Sequence, residues 1–287
     1  MIPANFDYES PRTLSEALDL LVLREDAKIL AGGHSLLPAM KLRLAQPALL
    51  VDIGRIGGLS YIRESGDHIA IGALTTHADV ASSQDLQRFS PLLAQAASHI
   101  GDTQVRNRGT VGGSLAQSHP AADYPAAVLA LDAEIVARSR SGERVIPATK
   151  LFTGMFSTAL RNDEIITEIR VPKTIGDGVA YKKFHHPASG YAVVGVAVRL
   201  KMSGAGAKIE SAAVGITGVA EHAYRATAVE NALRGTPASA IADAATHAAH
   251  GVEVLGDYYA SAEYRTHLVT VITRRALEQA AGDKSKR

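Results

Sequence analysis

The chain has 287 residues, 46% hydrophobic and 21% charged, and its 30 basic and 29 acidic side chains leave a net charge of +1. That length corresponds to about two domains at roughly 150 residues each, and the charge balance carries no footprint for nucleic acid or an anionic membrane. Cysteine is absent altogether, which removes disulfides, zinc–thiolate sites, a cysteine nucleophile and cysteine-ligated iron–sulfur clusters, so redox chemistry here requires a bound organic cofactor or a metal held by His and carboxylates.

The opening residues, Met1 to Glu9, show no basic stretch leading into an apolar one, and so do not read as a secretory signal. No apolar run approaches the ~18 residues needed to cross a bilayer. The expectation is a cytoplasmic protein without a transmembrane segment.

Thr13 and Glu16 have capping-box spacing and open an amphipathic helix through about Leu23. A short strand, 28–31, ends at Gly32-Gly33; a helix broken early by Pro38 follows over 35–44, and 49–53 reads as a buried strand. Residues 61–63 and 68–71 flank a hairpin turn at Glu64-Ser65-Gly66-Asp67. An Ala-rich helix is predicted over 91–100 and another over 125–131, after a long Gly-rich loop. Residues 133–138 and 144–147 bracket a second hairpin at Ser141-Gly142, and 164–172 alternates as a half-buried strand stopping at Pro172. After a linker over 173–178 come three strands, 179–186, 191–202 and 207–216, the last two joined by Ser203-Gly204-Ala205-Gly206. Helices are predicted over 224–233, 237–250 and 264–281, and a disordered tail from Gly282. The order is α+β, in units of 1–55, 56–176 and 177–287.

Two glycine-rich segments carry the candidate chemistry: Ala31-Gly32-Gly33-His34-Ser35, between a strand and a helix, and Asn107-Arg108-Gly109-Thr110-Val111-Gly112-Gly113-Ser114. Paired glycines let consecutive N–H groups face a common point, a helix N-terminus adds partial positive charge, and the hydroxyls of Ser35, Thr110 and Ser114 add donors, so a diphosphate could be held without lysine. Gly-Gly pairs are also ordinary turns; two hydroxyl-rich ones favour a ligand. No Rossmann fingerprint, phosphate-binding P-loop, H-E-x-x-H motif or G-x-S-x-G elbow is present; Gly204-Ala205-Gly206 is the nearest approach to the first. His185-His186 point to opposite faces of a strand, and His247 and His250 share a helix face without a third ligand, so no metal site is expected. Arg106 and Arg108 flank the second segment and either neutralise a diphosphate or are solvated, the second reading being favoured.

These motifs, with Leu36-Leu37-Pro38 after the first and Pro120-Ala121-Ala122-Asp123-Tyr124-Pro125 after the second, resemble the FAD-binding medium subunits of molybdenum hydroxylases, a family that includes carbon monoxide dehydrogenase medium subunits and has relatives in xanthine dehydrogenase FAD domains. The resemblance covers the whole chain. It implies a two-subdomain FAD-binding domain followed by a C-terminal α+β domain with a three-stranded antiparallel sheet and helices. It further implies that Ala31, Gly32, Gly33, His34, Ser35 and Leu36, with Thr110, Gly112, Gly113 and Ser114, wrap the FAD diphosphate and ribityl chain. Asp123 would accept hydrogen bonds from cofactor hydroxyls, Ile166 would pack against the flavin region, and Lys183 and Tyr191 would approach the isoalloxazine. Many relatives carry Asn where this chain has Ser114, a shorter side chain.

From the residues alone, Asp123 also suits a helix N-cap, Lys183 a solvated strand edge, and Tyr191 a core aromatic; Lys182, on the opposite face from Lys183, stays open as the flavin-side cation. The implied activity is electron transfer with no catalytic acid or base in this chain: electrons would pass from 2Fe–2S clusters on a small partner subunit, through FAD, to an external acceptor such as a quinone, oxygen or NAD. A large molybdenum–pterin subunit would oxidise the substrate, with carbon monoxide the leading identity and xanthine, N-heterocycles and aldehydes as alternatives. The assembly implied is a dimer of heterotrimers, with peripheral attachment to the inner face of the cell membrane left open. The competing readings are a stand-alone FAD-dependent oxidoreductase of the same superfamily and an assembly module that has lost its flavin.

Overall fold

A computed structural model describes residues 1–203 and 208–282. The hairpin tip 204–207 and the tail beyond Gly282, both singled out in the sequence, lie outside the described residues. Gly282 itself closes a helix rather than opening a tail.

The N-terminal unit is a parallel three-stranded sheet with Leu49–Asp52 between Asp7–Glu9 and Ala27–Leu30. The helix Leu14–Leu23 lies on it through Ala17, Leu18 and Leu21. Thr13 caps this helix, its hydroxyl accepting from the Glu16 N–H at 3.2 Å, while the Glu16 carboxylate accepts from the N–H of Arg12 rather than of Thr13, at 2.9 Å. The next helix, Leu36–Lys41, tolerates Pro38 because a first-turn residue has no intrahelical acceptor for its N–H anyway.

The central sheet is antiparallel, in the order Ile62–Ser65, His68–Gly72, Ile165–Pro172, Glu134–Ser139, Gly142–Pro147. Ile165–Pro172 was expected to be half-buried; as the middle strand it is buried along almost its whole length. Its charged position Glu168 is covered because the carboxylate accepts from the Tyr61 hydroxyl at 2.6 Å and the Arg170 guanidinium at 2.6 Å.

The third sheet runs Gly178–His185, Ala192–Met202, Ile209–Thr217, Tyr224–Arg225, all antiparallel. The fourth strand replaces the expected start of a helix at Tyr224. Arg225 is pinned there by Glu230 at 2.6 Å and the Leu129 carbonyl at 3.0 Å, and the helix begins later, at Thr227–Leu233. The expected helix 237–250 is shorter, a 3-10 turn at Ala238–Ala240 and then Ile241–Ala245, because the following N–H groups bond three residues back instead of four. The long helix Ala262–Gly282 covers one face of this sheet.

Between the central and third sheets lies the helix Asp123–Ala130, every residue of which is buried. Its sequence is apolar all round after Asp123, as a helix packed on several sides requires. It brings the third sheet against the glycine-rich segments. Three further short helices, His77–Ser82, Gln84–Phe89 and Thr103–Arg108, and the small strand pair Phe152–Gly154 and Ser157–Thr158 carry no periodic signal of their own.

Candidate cofactor site

The first glycine-rich segment leaves the strand Ala27–Leu30 and turns through Gly33, whose φ of 77° lies in the left-handed region that side chains resist. Among the described residues, the N–H groups of Gly32, Gly33, His34, Ser35 and Leu36 find no acceptor. Five consecutive free donors on a half-exposed turn form a concave surface suited to diphosphate oxygens.

The second segment is built differently. It was expected as a long loop and is two helices, Thr103–Arg108 and Val111–Gln117, joined at Gly109-Thr110. Its N–H groups are already spent: Val111 donates to the Thr75 carbonyl at 3.0 Å, Gly112 to Ala73 at 2.9 Å, Ser114 to Thr110 at 3.0 Å, and Gly113 to the Thr110 hydroxyl at 3.2 Å. This segment therefore offers hydroxyls and a surface rather than a second row of amides. Arg108 is exposed and Arg106 half-exposed, the Arg106 guanidinium donating to the carbonyls of Ile100 and Gly101 at 2.9 and 3.0 Å.

Both segments line a single cavity of about 990 Å³, at the upper end of the roughly 300–1,000 Å³ of cofactor and ligand sites. Thirteen of the fourteen residues singled out border it: Ala31 to Leu36, Thr110, Gly112, Gly113, Ser114, Asp123, Ile166 and Tyr191. Lys183 does not. It lies behind Asp123, with its side chain buried and its ammonium 2.9 Å from that carboxylate.

Asp123 is the first residue of its helix, Ala122 being the cap, so it is not an N-cap. Its carboxylate accepts from the Tyr181 hydroxyl at 2.6 Å and from Lys183 at 2.9 Å. Burial pushes its carboxyl up from the ordinary value, and the Lys183 ammonium and the Tyr181 hydrogen bond pull it back.

At one end of the cavity, Tyr191 stacks on His119 with ring centres 4.2 Å apart and planes 11° from parallel, and Phe156 meets the same imidazole edge-on at 5.1 Å. Burial lowers the pKa of His119, whose Nδ1 accepts from the Ala121 N–H at 3.0 Å. Sequence reasoning missed His119 and Phe156, because nothing in their local pattern marks them; only the fold brings them to Tyr191. His186 is structural, its Nδ1 accepting from the Ala188 and Ser189 N–H groups at 3.2 and 3.3 Å. Among the described residues no three His, Asp or Glu side chains gather as metal ligands, and no helix is long and apolar enough to cross a membrane.

Comparison with known proteins agrees with this geometry. Residues 4–174 match the FAD-binding domain of molybdopterin dehydrogenases, and residues 179–280 the C-terminal domain of carbon monoxide dehydrogenase flavoproteins. The chain is 42% identical to the carbon monoxide dehydrogenase medium chain of Hydrogenophaga pseudoflava, over 98% of each. It is 38% identical to the nicotine 6-hydroxylase medium subunit of Paenarthrobacter nicotinovorans, over 95% of this chain and 96% of that one. Among solved structures, carbon monoxide dehydrogenase from Hydrogenophaga pseudoflava superposes with a TM-score of 0.94 at 43% identity, covering 98% of each chain. Quinoline 2-oxidoreductase from Pseudomonas putida 86 gives 0.93 at 31%, covering 99% of each. The chain belongs to the FAD-binding medium subunits of the molybdenum hydroxylases, the carbon monoxide dehydrogenase medium-chain family. It is an oxidoreductase component whose cofactor is FAD.

Proposed function

We propose that this chain holds FAD as the electron-exit subunit of a heterotrimeric molybdenum hydroxylase. The observation that carries the reading is the row of five unpartnered N–H groups from Gly32 to Leu36, opening on a cavity that Thr110, Ser114, Asp123, Ile166 and Tyr191 also border. The diphosphate would sit on the amide row, where fixed donors meet its charge without reorganising. Ser35, Thr110, Ser114 and Asp123 offer hydroxyl and carboxylate partners for the ribityl chain, and Tyr191 with His119 an aromatic wall for a planar ring. Bound FAD supplies a carrier that accepts and releases electrons one or two at a time. The chain's own part is placement, exclusion of water and electrostatic tuning.

The chain has no cysteine, so clusters feeding the flavin must have their ligands on another subunit. A small 2Fe–2S partner and a large molybdenum–pterin partner, in a dimer of heterotrimers, complete the proposed assembly, with a quinone, oxygen or NAD as acceptor. Relatives of near-equal similarity are named for carbon monoxide, nicotine and glyceraldehyde, which supports a substrate set by the large partner; carbon monoxide is the first to test. Purification with the partner subunits should yield a yellow-brown complex whose flavin absorption bleaches anaerobically with carbon monoxide or another family substrate. A complex without flavin that takes up no added FAD overturns the proposal. Full turnover by the isolated chain would instead favour the stand-alone enzyme.

A further inference from the structure

Lys183 is the expected cofactor residue that the cavity leaves out, and its surroundings give it another role. On the strand Gly178–His185, two-residue alternation puts Tyr181 and Lys183 on one face, and both reach the first residue of the helix Asp123–Ala130. The Lys183 ammonium also donates to the His99 carbonyl at 2.9 Å, and the Tyr181 N–H to the Gln95 side-chain oxygen at 3.0 Å. Only 2% of the Lys183 side chain and 5% of the Asp123 side chain are exposed. The other titratable groups around the pair are Tyr124 and Tyr191 beside Asp123, and His99 with Lys182 and His185 on the Lys183 side.

A buried carboxylate without a cation takes up a proton rather than remain charged. The Lys183 ammonium reaches both Asp123 oxygens at 2.9 Å and the Tyr181 hydroxyl one of them at 2.6 Å, and the residue borders the cavity while Lys183 stands behind it. The ion pair also joins the two segments that match separate family domains, 4–174 and 179–280.

We infer that Lys183 is a positioning residue for the cofactor, acting through Asp123: its ammonium keeps that carboxylate ionised at the cavity wall and makes docking of the C-terminal sheet and retention of FAD one linked equilibrium. This rests on the reading of the cavity as the FAD site. Lys183 does not act on the flavin ring directly.

The test uses the complex purified with its partner subunits, as wild type, Lys183→Met and the double variant Asp123→Asn/Lys183→Met. FAD content after dilution and gel filtration is measured from pH 6 to 9, with flavin fluorescence reporting release and the thermal midpoint reporting folding. In Lys183→Met, burial of Asp123 is unopposed and its carboxyl titrates at higher pH. FAD retention should therefore fall about tenfold at pH 7 and recover as the pH rises, while the wild type changes less. The double variant has no buried charge to titrate, so its retention should be low throughout and flat with pH. Wild-type retention in Lys183→Met, or a loss of equal size at every pH, overturns the inference. If the single variant does not fold, a double variant that retains FAD like wild type overturns it, and one that folds but loses FAD supports it. A wild type devoid of FAD overturns the reading of the cavity as well, whereas loaded wild type with unaffected variants overturns this inference alone.

Discussion

Gly32 of the first glycine-rich segment lies flat against Arg108 of the second. A Cβ built on Gly32 would overlap the Arg108 carbonyl oxygen and stand 2.8 Å from the Gly109 Cα. The two motifs, separated by most of a domain in sequence, are thus locked backbone to backbone, and the amide row is held in place by the second segment behind it. Gly32→Ala forces that contact apart. Overpacking of this kind costs about 1–3 kcal/mol, and here it displaces the donors themselves, so FAD content should fall along with the thermal midpoint. Absorbance at the flavin band against protein, with a melting curve on the same sample, checks both.

Gly33 and Gly112 should fail for different reasons. Gly33 needs its positive φ, and an L side chain there costs about 1–2 kcal/mol, but the nearest obstacle is the end of the Leu37 side chain at 2.9 Å, which has room to turn. Gly112 has no such freedom: a Cβ would meet the Ala73 Cβ at 2.6 Å and the Ala73 carbonyl at 2.8 Å, in the protein wall that backs the cavity. Gly33→Ala should therefore fold with weakened FAD retention, whereas Gly112→Val should lower the urea midpoint of the FAD-free chain itself. Equal FAD-free stability in the two would mean that Gly112 faces the cofactor instead.

The same pair of glycines marks where sequence reading stopped. Thr13, Gly66, Ser141-Gly142 and Pro172 are local signals, and the elements they bound appear where local chemistry puts them. The second glycine segment looked like a loop because glycine disfavours helix; its reason for being glycine is Ala73, a neighbour that only the folded chain reveals. Strand alternation singled out one face for Lys183, yet what that face meets is Asp123, supplied by another layer of the fold. His119 and Phe156 carried no pattern at all. Residues that act through their own backbone were legible, and those that act through a distant partner were not.

His77 predicts a pH dependence. It is buried at the edge of the cavity, its Nδ1 has no partner among the described residues, and its ring lies edge-on to Tyr124 at 5.2 Å. Burial first, then His34 and Arg106, lowers its pKa to about 4. The folded imidazole stays neutral while the unfolded chain takes up a proton below about 6.5. Stability is full above that value and falls as the pH drops towards about 4, by about 3 kcal/mol in total. His77→Gln should remove this slope, so that urea midpoints measured at pH 7 and pH 4.5 differ less in the variant than in the wild type. An unchanged slope would place the titrating group elsewhere.

Arg144 and Glu164 form the fork that shapes the far wall of the cavity. The guanidinium donates twice to the carboxylate, at 2.5 and 2.7 Å, and once to the Ala159 carbonyl at 2.7 Å, while the Arg161 N–H donates to the same carboxylate at 2.7 Å. Only 2% of the Glu164 side chain is exposed, and Ile165 and Ile166, which follow it, border the cavity. The Arg144 hydrogen bonds, against the opposing effect of burial, hold the Glu164 carboxyl below its ordinary range. A lowered carboxyl stabilises the fold above about pH 4.3 and loses that contribution as the pH falls towards the folded value. Arg144→Met leaves the carboxylate with the Arg161 N–H as its remaining donor and, since the guanidinium it loses is 37% exposed, should cost about 1–3 kcal/mol at neutral pH. Adding Glu164→Gln should restore part of that loss by removing the stranded charge. The gap between wild type and Arg144→Met should narrow on acidification below the ordinary carboxylate range, where protonated Glu164 no longer needs its cation. Thermal midpoints of the three proteins at pH 7 and pH 3 decide it: a gap that is constant with pH would assign Arg144 to packing against Ala159 and not to the charge it shares with Glu164.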